Sequence, residues 1–371
     1  MRRRALAPHF RRVRASTLAV ALLTFTGCQS YFLTDGIGDA GSASDASRGD
    51  AAVDGGVTRP ARIYVYGGSL DDNKINEDGV SLFAEIADDG MLGPWKPAAQ
   101  ALAPITWHCA ALSNEGFFVL LTGIVPPDGG NRKIFVGAID GNNVTGFTKS
   151  ADIFETRLQH ATAVFNGSSL YVFGGEPGDA QPAEADVWRA TVKASTFTTP
   201  VRVTPLPSPL SRMAIASNAE GVFLIGGTTD TSAPSAAALH ATFNADGSIS
   251  PFEAQVPLSS ARTYPAAVAY GNNVYVTGGE NSIQLNNVLS CPIGGSGKLG
   301  SCSETAPLPD TRLRHRALAH KGHLYVVGGR GTKDNLATFV GDIDTNGGVV
   351  NWRPTTPLPT PAIYGEALLL P

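Results

Sequence analysis

Along this chain, short runs of apolar, β-branched and aromatic residues stop abruptly at paired glycines. Ile63-Tyr64-Val65-Tyr66-Gly67-Gly68, Leu170-Tyr171-Val172-Phe173-Gly174-Gly175, Val222-Phe223-Leu224-Ile225-Gly226-Gly227, Val274-Tyr275-Val276-Thr277-Gly278-Gly279 and Leu324-Tyr325-Val326-Val327-Gly328-Gly329 share one form. Val119-Leu120-Leu121-Thr122-Gly123 is a reduced copy that keeps a single glycine. Runs this short and this apolar predict strands covered on both faces. Glycine ends each run, because it reaches positive φ freely and lets neighbouring backbone approach closely. Taking the first glycines as 67, 123, 174, 226, 278 and 328, the intervals are 56, 51, 52, 52 and 50. A period of about 50 residues predicts an array of one supersecondary unit, of the size of a four-stranded propeller blade. Six units are expected.

Between the glycine runs, polar turns and prolines mark the remaining strands. In the third unit, Arg157 to Phe165 reads as the first strand, Leu170 to Phe173 as the second, Asp186 to Val192 as the third and the segment around Phe197 as the fourth. Leu206-Pro207 closes that unit, and Pro307-Leu308-Pro309 and Pro357-Leu358-Pro359 close later ones. Proline suits these outer ends, where no ladder bond is lost. Asp89-Gly90, Asp246-Gly247 and Asn346-Gly347 read as two-residue type I′ hairpin turns. Counting outward from them sets Ala84 opposite Trp95, Ala241 opposite Phe252 and Gly341 opposite Trp352. A small residue thus faces a large ring in each hairpin, which is packing complementarity.

The hydrophobic-Tyr-x-x-Gly-Gly runs, the aromatic on the fourth strand and the residues after the Pro-Leu-Pro closures resemble the kelch repeat family. The resemblance covers about 62–371 and implies an all-β fold, a six-bladed kelch-type β-propeller. Gly123-Ile124 departs from the doublet, and Cys302 stands where an aromatic is expected. Ile63 begins the chain's repeats as a second strand without a first, and Ile363 to Leu370 ends them as a first strand without a second. The two are expected to complete one blade, as in kelch propellers, and so remove free sheet edges.

Ahead of the repeats, Arg2, Arg3, Arg4, Arg11, Arg12 and Arg14 form a basic head, followed by an apolar run of 12 residues from Ala15 to Thr26. A membrane-spanning helix needs about 20, so the segment reads as an export signal. Phe25-Thr26-Gly27-Cys28 resembles a bacterial lipoprotein processing box, with Cys28 as the lipidated residue. The expected organisation is a signal peptide over 1–27, a lipidated cysteine and Asp/Gly/Ala/Ser-rich tether over 28–59, and a propeller over 60–371. Removing 1–27 takes six arginines and no acid, moving the net charge from −4 to −10. A mature chain that acidic lacks the basic footprint of a nucleic-acid binder.

The other cysteines then gain meaning. Cys291 and Cys302 fall opposite one another around a turn at Ser296-Gly297, in the slot of the small/aromatic pairs, and an oxidising compartment favours a disulfide between them. Cys109 reads as a small buried residue. Gly294-Gly295-Ser296-Gly297-Lys298 is not a phosphate loop, since Leu299 replaces the magnesium-binding hydroxyl and no helix follows. Asp342, Asp344 and Asn346 imitate half a calcium loop, but Arg353 stands where a bidentate Glu belongs. No metal and no cofactor are expected.

A second pattern recurs where each first strand begins. It contains Trp107 and His108, Arg157 and His160, Arg212, Arg262 and Tyr264, Arg312, Arg314 and His315, and Tyr364 and Glu366. In a propeller these starts surround one mouth of the central channel. We therefore expect Arg157, His160, Arg212, Arg262, Tyr264, Arg312, His315, Tyr364 and Glu366 to form a ligand-binding rim, its arginines suited to an anion. The competing expectation is that the arginines pair with loop acids such as Glu176, Asp230 and Glu280. The sequence carries no conventional nucleophile motif. It reads as a monomeric, non-enzymatic envelope lipoprotein, anchored at the bacterial outer membrane by lipid alone, that binds a protein or glycan. The alternative is a carbohydrate-active propeller enzyme resembling sialic acid mutarotases or, with less support, galactose-oxidase-type copper enzymes.

Overall fold

The computed structural model describes residues 53–54 and 57–371, apart from 72–73, 75–78, 100–103, 122, 126–128, 131, 155–157, 179–180, 194–195, 220 and 230–231. The expected signal, Cys28 and nearly all of the tether lie outside these residues, as does Arg157. All described secondary structure is β. Six antiparallel sheets stand around an axis, and the innermost strand of each touches those of both neighbours, so the ring is closed.

Blade 1 is the composite one. Its innermost strand, Glu366–Leu370, pairs with Arg62–Tyr66, followed outward by Ser81–Glu85 and Lys96–Pro97. The register sets Arg62 opposite Leu370 and Tyr66 opposite Glu366. Both ends of the repeat array are thereby held in one sheet, as expected. The innermost strands of blades 2 to 6 are Cys109–Leu112, Thr162–Asn166, Ala214–Asn218, Ala266–Tyr270 and Arg316–His320. Each second strand is the apolar run read in the sequence, and it is buried on both faces because it lies between two strands and two blades. Tyrosine serves these strands twice over. Its ring packs between sheets, and its hydroxyl donates across the seam, Tyr64 to the Asn142 carbonyl and Tyr171 to that of Gly247, each at 2.8 Å.

Two sequence expectations need correction in detail. The hairpins do not turn on two residues. In blade 1 the Ala87 N–H reaches the Met91 carbonyl and Gly90 takes φ of +80°, giving a three-residue loop with a left-handed glycine. Ile86 then bridges Leu92, yet Phe83 pairs with Lys96, so the outer strand carries one extra residue. Blades 4, 5 and 6 repeat the slip. Loop and bulge each shift the register by one and cancel, so the expected small/aromatic pairs are recovered. In blade 5 that slot holds the Cys291–Cys302 disulfide, with Cα atoms 4.0 Å apart, the close spacing of a non-hydrogen-bonded pair. Trp95 and Trp352 do more than pack there. Their indole N–H groups donate to Thr356 and Ala306 carbonyls of the preceding blade.

The second correction concerns Gly123. In every blade the second glycine of the doublet donates its N–H to a carbonyl of the next blade: Gly68 to Ile105, Gly175 to Leu210, Gly227 to Arg262, Gly279 to Arg312 and Gly329 to Ala362. Gly123 makes this bond, to Leu158 at 2.7 Å, so it is the second glycine of blade 2 and not the first. The first glycines face the same carbonyls. A Cβ on Gly278 would land on the Arg312 oxygen, and φ there is +56°. The doublet is therefore a stitch between blades, and at Gly278 its backbone has no room for a side chain.

Candidate functional site

Where the chain crosses from an outer strand to the next innermost strand, each blade places one residue in the left-handed region. The six are Trp107, His160, Arg212, Tyr264, Arg314 and Tyr364, with φ between 53° and 60°. None is glycine, asparagine or aspartate, the types that reach this region at least cost. Their backbones bond to one another around the axis. His160 donates its N–H to the Trp107 carbonyl, Arg212 to His160, Tyr264 to Arg212, Arg314 to Tyr264 and Tyr364 to Arg314, at 3.0 to 3.3 Å. This girdle explains the strained φ values. The twist accompanies these five bonds and sends all six side chains toward the axis, and strain of this kind gathers at functional sites.

The side chains meet over the channel. Trp107 stacks on His160 at 4.9 Å, and Tyr364 lies within 5.6 Å of Trp107, His160 and Tyr264. The Arg314 guanidinium lies against two tyrosines that meet edge to face, 4.7 Å from the Tyr264 ring and 4.4 Å from that of Tyr364. Arg212 lies 5.3 Å from the Tyr264 ring. Below the girdle, His108, Ala161, Met213, Pro265 and Arg316 complete a cavity of about 40 Å³ for the centres of water-sized atoms. Three arginines line it and no carboxylate does.

The carboxylates stand behind. Glu176, buried in the loop after Gly175, holds Arg212 (Nε to Oε1 2.9 Å) and accepts the Ser211 hydroxyl at 2.7 Å. Glu366, fully enclosed at the start of the innermost strand of blade 1, pairs with Arg316. Burial pushes the Glu366 carboxyl upward, and Arg316 draws it back. His160 is held well below the ordinary imidazole range, chiefly by burial and then by Arg212, Arg314 and Arg316. His108 falls to about 3, again through burial first and Arg316 second. Both imidazoles are neutral at the mouth.

Of the rim read from the sequence, the structure brings together His160, Arg212, Tyr264 and Tyr364, with Glu366 one layer behind. It takes Arg262, Arg312 and His315 elsewhere. Arg262 and Arg312 lie two residues before the girdle, are 0 % exposed and fill the seam to the next strand. Arg262 donates to the Gly278 carbonyl, Asn287 Oδ1 and Ser260 Oγ; Arg312 donates to the Asp334 and Ala337 carbonyls and lies 3.6 Å from Asp310. Blades 2, 3 and 4 have Ile105, Leu158 and Leu210 at this position, which shows its apolar character. His315 shares a hydrogen bond with Thr277 Oγ1 at 2.7 Å under the next seam. The pairing of arginine with loop acid holds for Arg212 and Glu176. Among the entry residues Trp107, His108 and Arg314 belong to the mouth, while Arg316 had been passed over. Its signal was its slot, two residues after the girdle, where blade 1 carries Glu366. Among the described residues, no group of three or more His, Cys, Asp or Glu is placed to hold a metal ion.

Six blades, five of four strands and one with its outer edge split between two short strands, closed by the composite blade 1 and joined by glycine stitches, define a kelch-type β-propeller. The family model of the KLHDC2/KLHL20/DRC7 Kelch-repeats domain matches residues 106–329, more than half of the chain, and the protein belongs to that kelch-repeat family. Among solved structures, the chain titled "Structure of YjhT" is similar, with a TM-score of 0.60 and 12 % identity over 80 % of this chain and 98 % of that one. At that identity the likeness speaks for the fold, which 210 solved chains share. No curated protein matches the chain.

Proposed function

We propose that this protein is an exported, lipid-anchored recognition module that holds an anionic group of a protein or glycan at the mouth of its channel. The observation that carries this reading is the girdle. Six bulky residues accept a costly backbone conformation in order to converge, and three arginines line the resulting cavity. Export and anchoring rest on the basic head, the short apolar run and Cys28. The module acts as a monomer, with no cofactor and no nucleic-acid partner, and touches the outer membrane through lipid alone. Its attachment suits this role. Asn142, on a turn of blade 2, donates to the Pro60 carbonyl at 2.6 Å, and Arg62 opens its strand at the end remote from Gly67. A tether leaving through Arg59 therefore departs from the face opposite the mouth. Sugar chemistry would need an acid/base pair facing the ligand, and no lining residue is a carboxylate, which favours recognition.

The test is affinity capture from envelope extracts with the wild-type chain and with an Arg314→Ala variant of unchanged melting temperature. A partner retained by the first and lost by the second is expected. One retained equally by both removes the mouth from the reading. Lipid labelling that survives Cys28→Ser would remove the anchor.

A further inference from the structure

Two histidines occupy a slot that the other blades leave apolar or small. The residue after the girdle is His108 in blade 2 and His315 in blade 6, against Ala161, Met213, Pro265 and Gly365 elsewhere. All six are buried, so packing there does not call for an imidazole. Each ring lies under a seam, against a glycine doublet of the preceding blade. A Cβ on Gly67 would fall 2.6 Å from His108 Cε1, and one on Gly278 would fall 3.1 Å from His315 Cε1. His315 also shares a hydrogen bond with Thr277 Oγ1, one residue before Gly278. The seams concerned join blade 1 to blade 2 and blade 5 to blade 6.

The charged groups facing these rings are cations. Arg316 faces both, and Arg312 also faces His315. The carboxylates beside those arginines are Glu366 and Asp310, each held by its own arginine. The Tyr66 backbone is the remaining polar group against His108. A proton on either imidazole would put a second positive charge beside an arginine, inside an apolar slot. The ring must leave the seam to hold it. His160 is a third neutral imidazole, but it stands on the girdle among Trp107, Tyr264 and Tyr364 rather than under a seam.

Between the two histidine seams lie blades 6 and 1, and these are fastened to each other by other means. Arg316 of blade 6 pairs with Glu366 of blade 1. Trp95 Nε1 donates to the Thr356 carbonyl at 3.0 Å, and the Leu92 N–H donates to Thr355 Oγ1 at 2.8 Å. Gly365 holds the slot at this seam, so no imidazole follows the girdle there. Acid relieves the burial of Glu366 instead of adding charge beneath the seam.

We infer that mild acid loosens blades 6 and 1, as one unit, from blades 2 to 5 at the mouth, through protons taken up by His108 and His315. The ring then has two acid-sensitive seams and four that hold.

The experiment follows hydrogen exchange of the full-length chain at pH 7 and pH 5, with rates corrected for the intrinsic effect of pH. The stitch amides report each seam: Gly68 for blades 1 and 2, Gly279 for blades 5 and 6, and Gly175, Gly227 and Gly329 for comparison. An imidazole with a pKa of about 6.5 when open and about 3 when closed shifts its own opening about 25-fold between these two conditions. Gly68 and Gly279 should therefore exchange at least about tenfold faster at pH 5, with the other three within about twofold. The double variant His108→Gln/His315→Gln keeps a donor and an acceptor without the titration, and should remove the difference. Equal acceleration at all five amides, acceleration at none, or a response that survives in the double variant would overturn the inference. If that variant fails to fold, the contrast among the five wild-type amides decides alone.

Discussion

Two sets of arginines lie two residues apart in this chain and live opposite lives. Arg212 and Arg314 stand on the girdle, half-buried, with their charges toward a small cavity. Arg262 and Arg312 stand at the seam, fully buried, with their N–H groups spent on backbone carbonyls and polar side chains of their own blades. Desolvation lowers the Arg262 pKa to about 10, a shift of the kind that follows from deep burial. The lesson is that in a closed propeller a residue's function depends on its place in the blade-to-blade crossing more than on its type. The seam converts arginine into a structural clamp. The girdle turns it toward the channel mouth.

The difference can be broken by substitution, and the largest effect is expected at the seam glycines. Gly278→Ala sets a methyl group against the Arg312 carbonyl at a φ of +56°, so backbone must move. A loss of more than about 3 kcal/mol is expected, combining overpacking with left-handed strain. Gly271 has nearly the same φ, +55°, with nothing near its Cβ, so Gly271→Ala isolates the strain at about 1 kcal/mol. Denaturant melts of the two variants should differ clearly, and equal losses would refute the stitch.

Next come the seam arginines. Arg312→Ala leaves the Asp310 carboxylate and two carbonyls short of partners, and should cost about 3 kcal/mol. Arg314→Ala should cost under about 1 kcal/mol, the worth of its stacking, while ligand capture collapses. Chemical denaturation of the pair tests the contrast directly, and a reversed order would exchange the two roles.

A pH scan then compares the same regions without mutation. His108 and His160 at the mouth and His315 at the seam all have folded pKa values below the ordinary one, with burial as the main cause. The unfolded chain therefore takes protons first. Their contribution is complete above the ordinary histidine value of about 6.5 and is lost as pH falls below it toward the folded values. Glu366 runs the other way, since its raised pKa makes acid relieve its burial. Glu184, also raised by burial, joins Glu366, and with three imidazoles against two carboxylates the melting temperature should fall between pH 7 and 5. A flat profile there would contradict the buried, neutral imidazoles.

The effect most remote from the mouth concerns the outer rim of blade 5. Reduction of Cys291–Cys302, eleven residues apart in sequence, should cost about 2 kcal/mol and leave ligand capture unchanged, because the bond lies in the outer hairpin. Capture lost on reduction, with folding intact, would link this hairpin to the mouth.

Much of the architecture was legible in the chain. The glycine-ended runs repeat at a regular interval, and a repeat of that size must stack on its own copies to bury its strands, so the six blades and their closure followed. The disulfide was legible too, because hairpin register is local. Even so, the turn is three residues rather than two, and the outer-strand bulge, of which the sequence gives no sign, cancels that difference. The turn depends on a left-handed glycine in a three-residue loop that the dipeptide alone does not reveal. The seam and the girdle were beyond the sequence. Arg262 and Tyr264, or Arg312 and Arg314, differ by two positions on an irregular crossing, where neither the strand period of two nor any helical period applies. Which of them points inward is decided by a left-handed residue in each blade and by hydrogen bonds to the residue about 50 positions away in the adjacent blade. Those bonds exist only once the blades stand side by side, so tertiary structure alone could separate the seam arginines from those at the channel mouth.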